Sequence, residues 1–170
     1  MTYRVALVCL GNICRSPIAE VVLRTRLEEA GLDGQVDVVS AGTGTWHIGE
    51  AMDRRAAAVL ARHGYDGSDH RAQETGTAGL EEADLILAMD GDNHAELTRL
   101  LSPAARERLR MFRDFDPRAP RDADGMPTGD REVPDPYFGG EDGFDTVLGI
   151  VERTVANLVT ELSEREVERS

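Results

Sequence analysis

Cys9 and Arg15 fall in the run Cys9-Leu10-Gly11-Asn12-Ile13-Cys14-Arg15-Ser16. A thiol, a short turn containing Gly and Asn, and then a guanidinium can form a nucleophile wrapped in an anion cradle. Where such a turn joins a strand to a helix, the loop N–H groups converge and the helix N-terminus adds positive potential. That field favours thiolate over thiol and lowers a cysteine pKa from about 8.5 to about 3.5–7.5. Arg15 closes the loop and offers a planar fork to two phosphate oxygens, and Ser16 can donate to the sulfur. The spacing of Cys9 and Arg15 is weak by itself. The strand–loop–helix setting makes it specific, against the plain alternative of a buried cysteine in a tight turn with Arg15 on the surface.

A second constellation is Val133-Pro134-Asp135-Pro136-Tyr137-Phe138-Gly139-Gly140. Prolines on both sides stiffen the chain around Asp135, and the aromatic rings beside it can exclude water. A carboxylic acid there would keep its proton, the state needed to protonate a leaving phenolate. The competing reading is ordinary Asp-Pro turn chemistry in a chain rich in Asp.

The elements that must position these residues follow from periodicity. Residues 4–9 form a continuous apolar run, as in a strand covered on both faces. From 17 to 30 the spacing becomes helical through Ile18, Val21, Val22 and Leu27, with Ser16 as N-cap, Pro17 in the first turn and Gly31 as the stop. Residues 36–40 predict a second strand and 41–45 a glycine-rich loop. Asp53 caps a helix that runs to His63. A poor helix ends near 81–84, residues 85–89 form a buried strand, 93–101 a helix and 109–112 a short strand. From 144 to about 162 a stripe of Leu148, Val151, Val155, Leu158 and Leu162 marks the clearest helix. Between 116 and 143 lie five of the seven prolines, which predicts a long exposed loop. Alternating strands and helices with short connections give a three-layer α/β sandwich around a central parallel sheet of about four strands. One domain, residues 1–162, is expected, with 163–170 as a solvated C-terminal end.

Composition removes several classes of function. The 170 residues suit one domain, and 41% hydrophobic against 30% charged residues permits a core. Thirty-two acidic residues against nineteen basic give a net charge of −13, a field that repels nucleic acid and anionic membranes. Every basic residue other than histidine is arginine, so lysine Schiff bases and lysine-dependent phosphate loops are excluded. Two cysteines cannot build a disulfide framework or a four-thiolate metal site. No segment has the length of an apolar membrane span or a secretory leader, so the expected location is cytoplasmic.

Together these residues resemble the low-molecular-weight protein tyrosine phosphatase family. Cys9 to Ser16 matches its phosphate loop, Cys-x-Gly-Asn-x-Cys-Arg-Ser, at every fixed position, and Asp135-Pro136-Tyr137 is similar to its acid loop. Ser40-Ala41-Gly42-Thr43, Trp46-His47, Asp69-His70-Arg71-Ala72 and Met89-Asp90 are similar to further family segments in order. The likeness covers nearly the whole chain and is loosest at 118–130 and after Leu162. It implies a flavodoxin-like fold and hydrolysis of phosphotyrosine and aryl phosphates through a cysteinyl-phosphate on Cys9. Arg15 and the amides of Leu10, Gly11, Asn12, Ile13 and Cys14 would hold the phosphate, with Ser16 assisting the thiolate. Asn12 would keep the loop in its strained shape and His70 would support it. Asp135 would act as acid and then as base, while Trp46 and Tyr137 line the cleft.

The implied partners are phosphotyrosine proteins, with no cofactor, metal, nucleic acid or membrane. Trp46 stays open between core and cleft wall, and Cys14 between a packed small hydrophobe and a redox partner that shields Cys9 through a disulfide. Three rivals share the pocket. An arsenate reductase needs resolving cysteines, and the chain has none after Cys14. A protein-arginine phosphatase is disfavoured by Ile13 and Tyr137. A non-catalytic phosphate sensor is not excluded by inventory.

Overall fold

The computed structural model describes residues 2–169. Four parallel strands form one sheet: β1 (Tyr3–Cys9), β2 (Val36–Gly42), β3 (Leu85–Ala88) and β4 (Leu109–Met111), in the order β2-β1-β3-β4. The helices are α1 (Arg15–Glu29), α2 (Arg54–Arg62), α3 (Gly91–Leu100), α4 (Pro103–Arg106) and α5 (Asp142–Arg169).

Strand residues alternate between two cores, as the pleat requires. Val5, Leu7, Leu85 and Leu87 pack with Ile18, Leu23, Leu60, Leu148 and Val155, from α1, α2 and α5. Ala6, Val8, Ile86 and Ala88 pack on the other face with Leu97 and Ala105, from α3 and α4. Both faces are therefore covered, which explains the uninterrupted apolar runs in β1 and β3. The chain leaves β1 toward β2 on one side and enters β3 and β4 on the other. This reversal opens a crevice at the strand C-termini, between the ends of β1 and β3.

Several local expectations need correction. Ser16 does not cap α1: the cap position is Cys14, without a side-chain bond, and the Ser16 hydroxyl faces Cys9 instead. A longer-range partner has taken the side chain that a local rule assigns to the helix end. β2 extends through Ala41 and Gly42, where the sequence predicts a glycine-rich loop, because Val8 and Cys9 pair with them. Residues 103–106 form an unexpected short helix, begun by Ser102 as cap and Pro103 at its first turn. α5 starts at Asp142 and continues past Leu162 to Arg169. Arg165 lies 3.9 Å over the Tyr3 ring, while residues 167–169 of the helix end are exposed.

The segment before α5 is exposed only in part. Asp116 is fully buried, and its carboxylate accepts from Arg153 Nε at 2.7 Å, Arg113 Nε at 2.9 Å and the Arg118 amide at 2.9 Å. Val133 is also fully buried, and its amide donates to the Met89 carbonyl at 2.7 Å. Both ends of the long loop are thereby nailed to the sandwich. Among the described residues no helix is long and apolar enough to cross a membrane.

Candidate active site

β1 delivers Cys9 to the crevice, and the loop to α1 curls around its sulfur. The loop carbonyls are bonded on the outside: Cys9 O to the Thr43 amide, Leu10 O to Gly44 and Ile13 O to Asp53, at 2.8–3.0 Å. The Asn12 carbonyl accepts from His70 Nε2 at 2.6 Å. In a trans peptide, a carbonyl turned outward sends the next N–H inward. These ties thus aim the loop amides into the ring. The Asn12 amide reaches Cys9 Sγ at 3.3 Å. Gly42 makes room for the loop: a Cβ there would come within 2.7 Å of the Leu10 carbonyl oxygen.

Asn12 has φ of 58°, in the left-handed region that asparagine enters more readily than other residues with a side chain. Its fully buried side chain shows what holds it. Nδ2 donates to Ser16 Oγ and Ser40 Oγ, each at 2.9 Å, and Oδ1 accepts from the Gln73 amide at 2.9 Å. Ser40 passes its proton on to Glu20. Since Ser16 Oγ already accepts from Asn12, its hydrogen is free for Cys9 Sγ, 2.9 Å away. Every polar arm of Asn12 has a partner, so the strained turn is rigid.

Arg15 is almost wholly buried at the start of α1. Its Nη1 donates to Asp90 Oδ2 at 2.6 Å and to the Val133 carbonyl at 3.1 Å, and Nη2 reaches Asp135 Oδ2 at 3.4 Å. Burial opposes its charge, but Cys9, Asp90 and Asp135 outweigh that and raise its pKa further. Asp90 follows β3 and caps α3 with its other oxygen, which accepts from Asn93 N at 2.7 Å.

Cys9, Leu10, Gly11, Ile13, Cys14, Trp46, His47, Asp135, Tyr137 and Phe138 line one cleft. Trp46 is 71% exposed at its rim, which decides against a core role. Asp135 accepts from the Tyr137 amide at 3.1 Å, and its side chain is 40% exposed. The water-excluded carboxyl expected from the sequence is therefore not present; the ring of Tyr137 instead meets Phe138 edge-on, centroids 4.9 Å apart. Burial, then the charges of Asp53, Cys9 and Asp135, push the Cys14 thiol well above the ordinary range. Burial also lowers the pKa of His70, against the opposing pull of the Asn12 carbonyl.

All the residues singled out in the sequence converge here. Sequence reasoning assigned no role to Asp90, Ser40, Glu20, Gln73, His47 or Arg55, although each touches this constellation. Asp90 carries a legible signal, a polar residue just beyond the end of a buried strand, and Ser40 another, a buried polar residue near the end of one.

A parallel α/β sandwich with a buried cysteine at its reversal point, its sulfur held by a loop amide and a serine hydroxyl beside arginine and a carboxylate, has the layout of a phosphate-handling cysteine enzyme. Comparison with known proteins agrees. The family model for low molecular weight phosphotyrosine protein phosphatase matches residues 4–168, and the chain belongs to this family of enzymes. It is 46% identical over 167 residues to a low molecular weight protein-tyrosine-phosphatase of Streptomyces coelicolor, covering 97% of this chain and 96% of that one. It is 45% identical over 161 residues to low molecular weight protein-tyrosine phosphatase A of Mycobacterium tuberculosis, covering 95% and 92%. Among solved structures, a protein tyrosine phosphatase of Entamoeba histolytica superposes with a TM-score of 0.84 at 33% identity, covering 97% of this chain and 99% of that one.

Proposed function

We propose that this protein hydrolyses phosphotyrosine in proteins, and aryl phosphates generally, through a covalent phosphate on Cys9. The observation that carries the reading is Cys9 Sγ accepting from the Asn12 amide of the loop that curls around it, with Arg15 bonded to Asp135 at the same cleft. The Cys9 thiolate attacks phosphorus as the P–O bond to the tyrosine breaks, and Asp135 gives its proton to the departing oxygen. Water then attacks the thiophosphate, the Asp135 carboxylate takes a proton from it, and phosphate and free thiolate are released. Charge on the transferring group is met by Arg15 and the loop N–H groups, preorganised by their outward-bonded carbonyls.

Trp46 and Tyr137 offer faces to a phenyl ring, which favours aryl over alkyl esters. The relatives' names, all tyrosine phosphatases, support phosphoproteins as substrates.

Turnover of para-nitrophenyl phosphate and of a tyrosine-phosphorylated protein, assayed without added metal, tests the proposal. Activity that disappears in Cys9→Ser is expected. Activity that survives the substitution, or phosphate binding with no turnover at all, overturns it.

A further inference from the structure

Arg55, on the first turn of α2, belongs to none of the loops that line the cleft, yet it touches the acid segment twice. Its Nη2 donates to the Tyr137 carbonyl at 2.9 Å and its Nη1 to the Gly139 carbonyl at 3.3 Å. The guanidinium also lies over two rings, Phe144 at 4.6 Å and Tyr137 at 5.6 Å. Two further donors go to Asp53, Nε to Oδ1 at 3.2 Å and Nη2 to Oδ2 at 3.0 Å. Asp53 in turn donates its amide to the Ile13 carbonyl of the phosphate loop at 2.9 Å. The Tyr137 amide closes the chain by donating to Asp135 Oδ1. A continuous run of bonds thus joins the loop around Cys9, through Asp53 and Arg55, to the carboxyl of Asp135.

The need for such a tie follows from the segment itself. Residues 133–140 form no regular element, and Pro134 and Pro136 remove two amides that could have anchored them. On the inner side, Arg15 holds the Val133 carbonyl. On the outer side, Arg55 holds the carbonyls of Tyr137 and Gly139. Asp135 sits between these two arginine clamps. A planar guanidinium can satisfy two carbonyls, a carboxylate and a ring face together, which an ammonium cannot.

We infer that Arg55 is a positioning residue of the proposed reaction: it sets Asp135 over the leaving oxygen in register with the phosphate loop. The inference rests on the reading of Asp135 as the acid. It makes Arg55 matter for leaving groups that need a proton and matter little for those that depart as stable anions.

The test compares kcat/KM, which reports the first phosphoryl transfer, on phenyl phosphate and on 2,4-dinitrophenyl phosphate. Arg55→Met is expected to lose about 10- to 100-fold on phenyl phosphate, and far less on the dinitrophenyl ester. Inhibition by vanadate should stay unchanged, because the phosphate loop keeps its own ties. Arg55→Lys, which retains the charge and serves if the methionine variant folds poorly, should fall between wild type and Arg55→Met. Arg54→Met removes the neighbouring exposed arginine and should behave as wild type. Equal losses on both esters, no loss on either, or vanadate binding weakened in parallel overturns the inference. Asp135→Ala separates the two levels. If it fails to steepen the leaving-group dependence, the reading of Asp135 falls; if it does and Arg55→Met does not, only the role of Arg55 falls.

Discussion

The Asp90 carboxylate lies 2.6 Å from Arg15 Nη1, across a sequence separation of 75 residues, and its second oxygen caps α3. One side chain thereby fixes both the guanidinium that faces the cleft and the helix that follows β3. Asp90→Asn separates these tasks. Asparagine caps helices as well as aspartate does, so a fall in the thermal midpoint would report the lost ion pair with buried Arg15 and not the cap. The amide carries no charge to hold Arg15, and kcat/KM on para-nitrophenyl phosphate should fall about tenfold or more. An unchanged value would show that the Val133 carbonyl alone is enough to hold the fork.

Much of the sandwich was legible because its signals are periodic. The buried run of β1, the switch to helical spacing after Pro17 and the stripe along α5 each repeat over many residues. The errors fall where one specific contact outweighs a local rule. Ser16 reads as a helix cap until Cys9 and Asn12 claim its hydroxyl. The proline-rich stretch reads as exposed, yet Asp116 and Val133 are buried in it, and no repeat announces two isolated anchors. The motif named Asn12 and Arg15, but Asn12 is held by Ser40 and Gln73, 28 and 61 residues away, and Arg15 by Asp90, 75 residues away. Only the fold brings them together. The helix was expected to stop with its apolar stripe at Leu162; its last turns persist through pairs such as Arg169–Glu166 and the packing of Arg165 on Tyr3.

The buried Asp116 makes stability depend on acid. Burial alone would raise its pKa, but hydrogen bonds from Arg153, the Arg118 amide and Arg113 prevail and hold it at about 2. A carboxylate lowered from 3.8 to about 2 contributes about 2 kcal/mol. With a depressed folded pKa, that contribution is complete above the ordinary carboxylate range and drains away as pH falls from about 4 toward 2. Asp116→Asn should therefore be less stable than wild type in urea at pH 7, and the gap should shrink by more than half by about pH 2.5. A gap that is constant with pH would mean the ion pairs add nothing.

His70 makes the opposite kind of demand. Its Nε2–H donates to the Asn12 carbonyl, and burial lowers its pKa, so the neutral ring is favoured in the fold. For a base with a depressed folded pKa, the unfolded chain binds the extra proton. Stability is then complete above the ordinary histidine value of 6.5 and is lost as pH falls through it. The thermal midpoint of wild type should decline between pH 7.5 and 5.5 more steeply than that of His70→Gln, whose amide can keep the bond without titrating. Parallel curves would place the acid sensitivity elsewhere.

Cys9 and Cys14 are both buried thiols of one loop, but their surroundings differ in kind. Cys9 receives the Asn12 amide and the Ser16 hydroxyl, whereas burial first, and then the negative charges of Asp53, Cys9 and Asp135, push the pKa of Cys14 up. Nucleophilic attack requires thiolate. Iodoacetamide near pH 7 should therefore label Cys9 alone, and peptide mapping should show Cys14 unmodified while phosphate protects Cys9. The same contrast governs oxidation by peroxide, which converts a thiolate to a sulfenic acid. If Cys14 then condenses with that group and releases water, the step is slow while Cys14 stays protonated and quickens as pH rises. Recovery of activity by a dithiol after prolonged peroxide should thus improve from pH 6.5 to 8.5 in wild type and stay low in Cys14→Ser. Labelling of Cys14 before Cys9, or equal recovery in the two proteins, would remove Cys14 from any redox role.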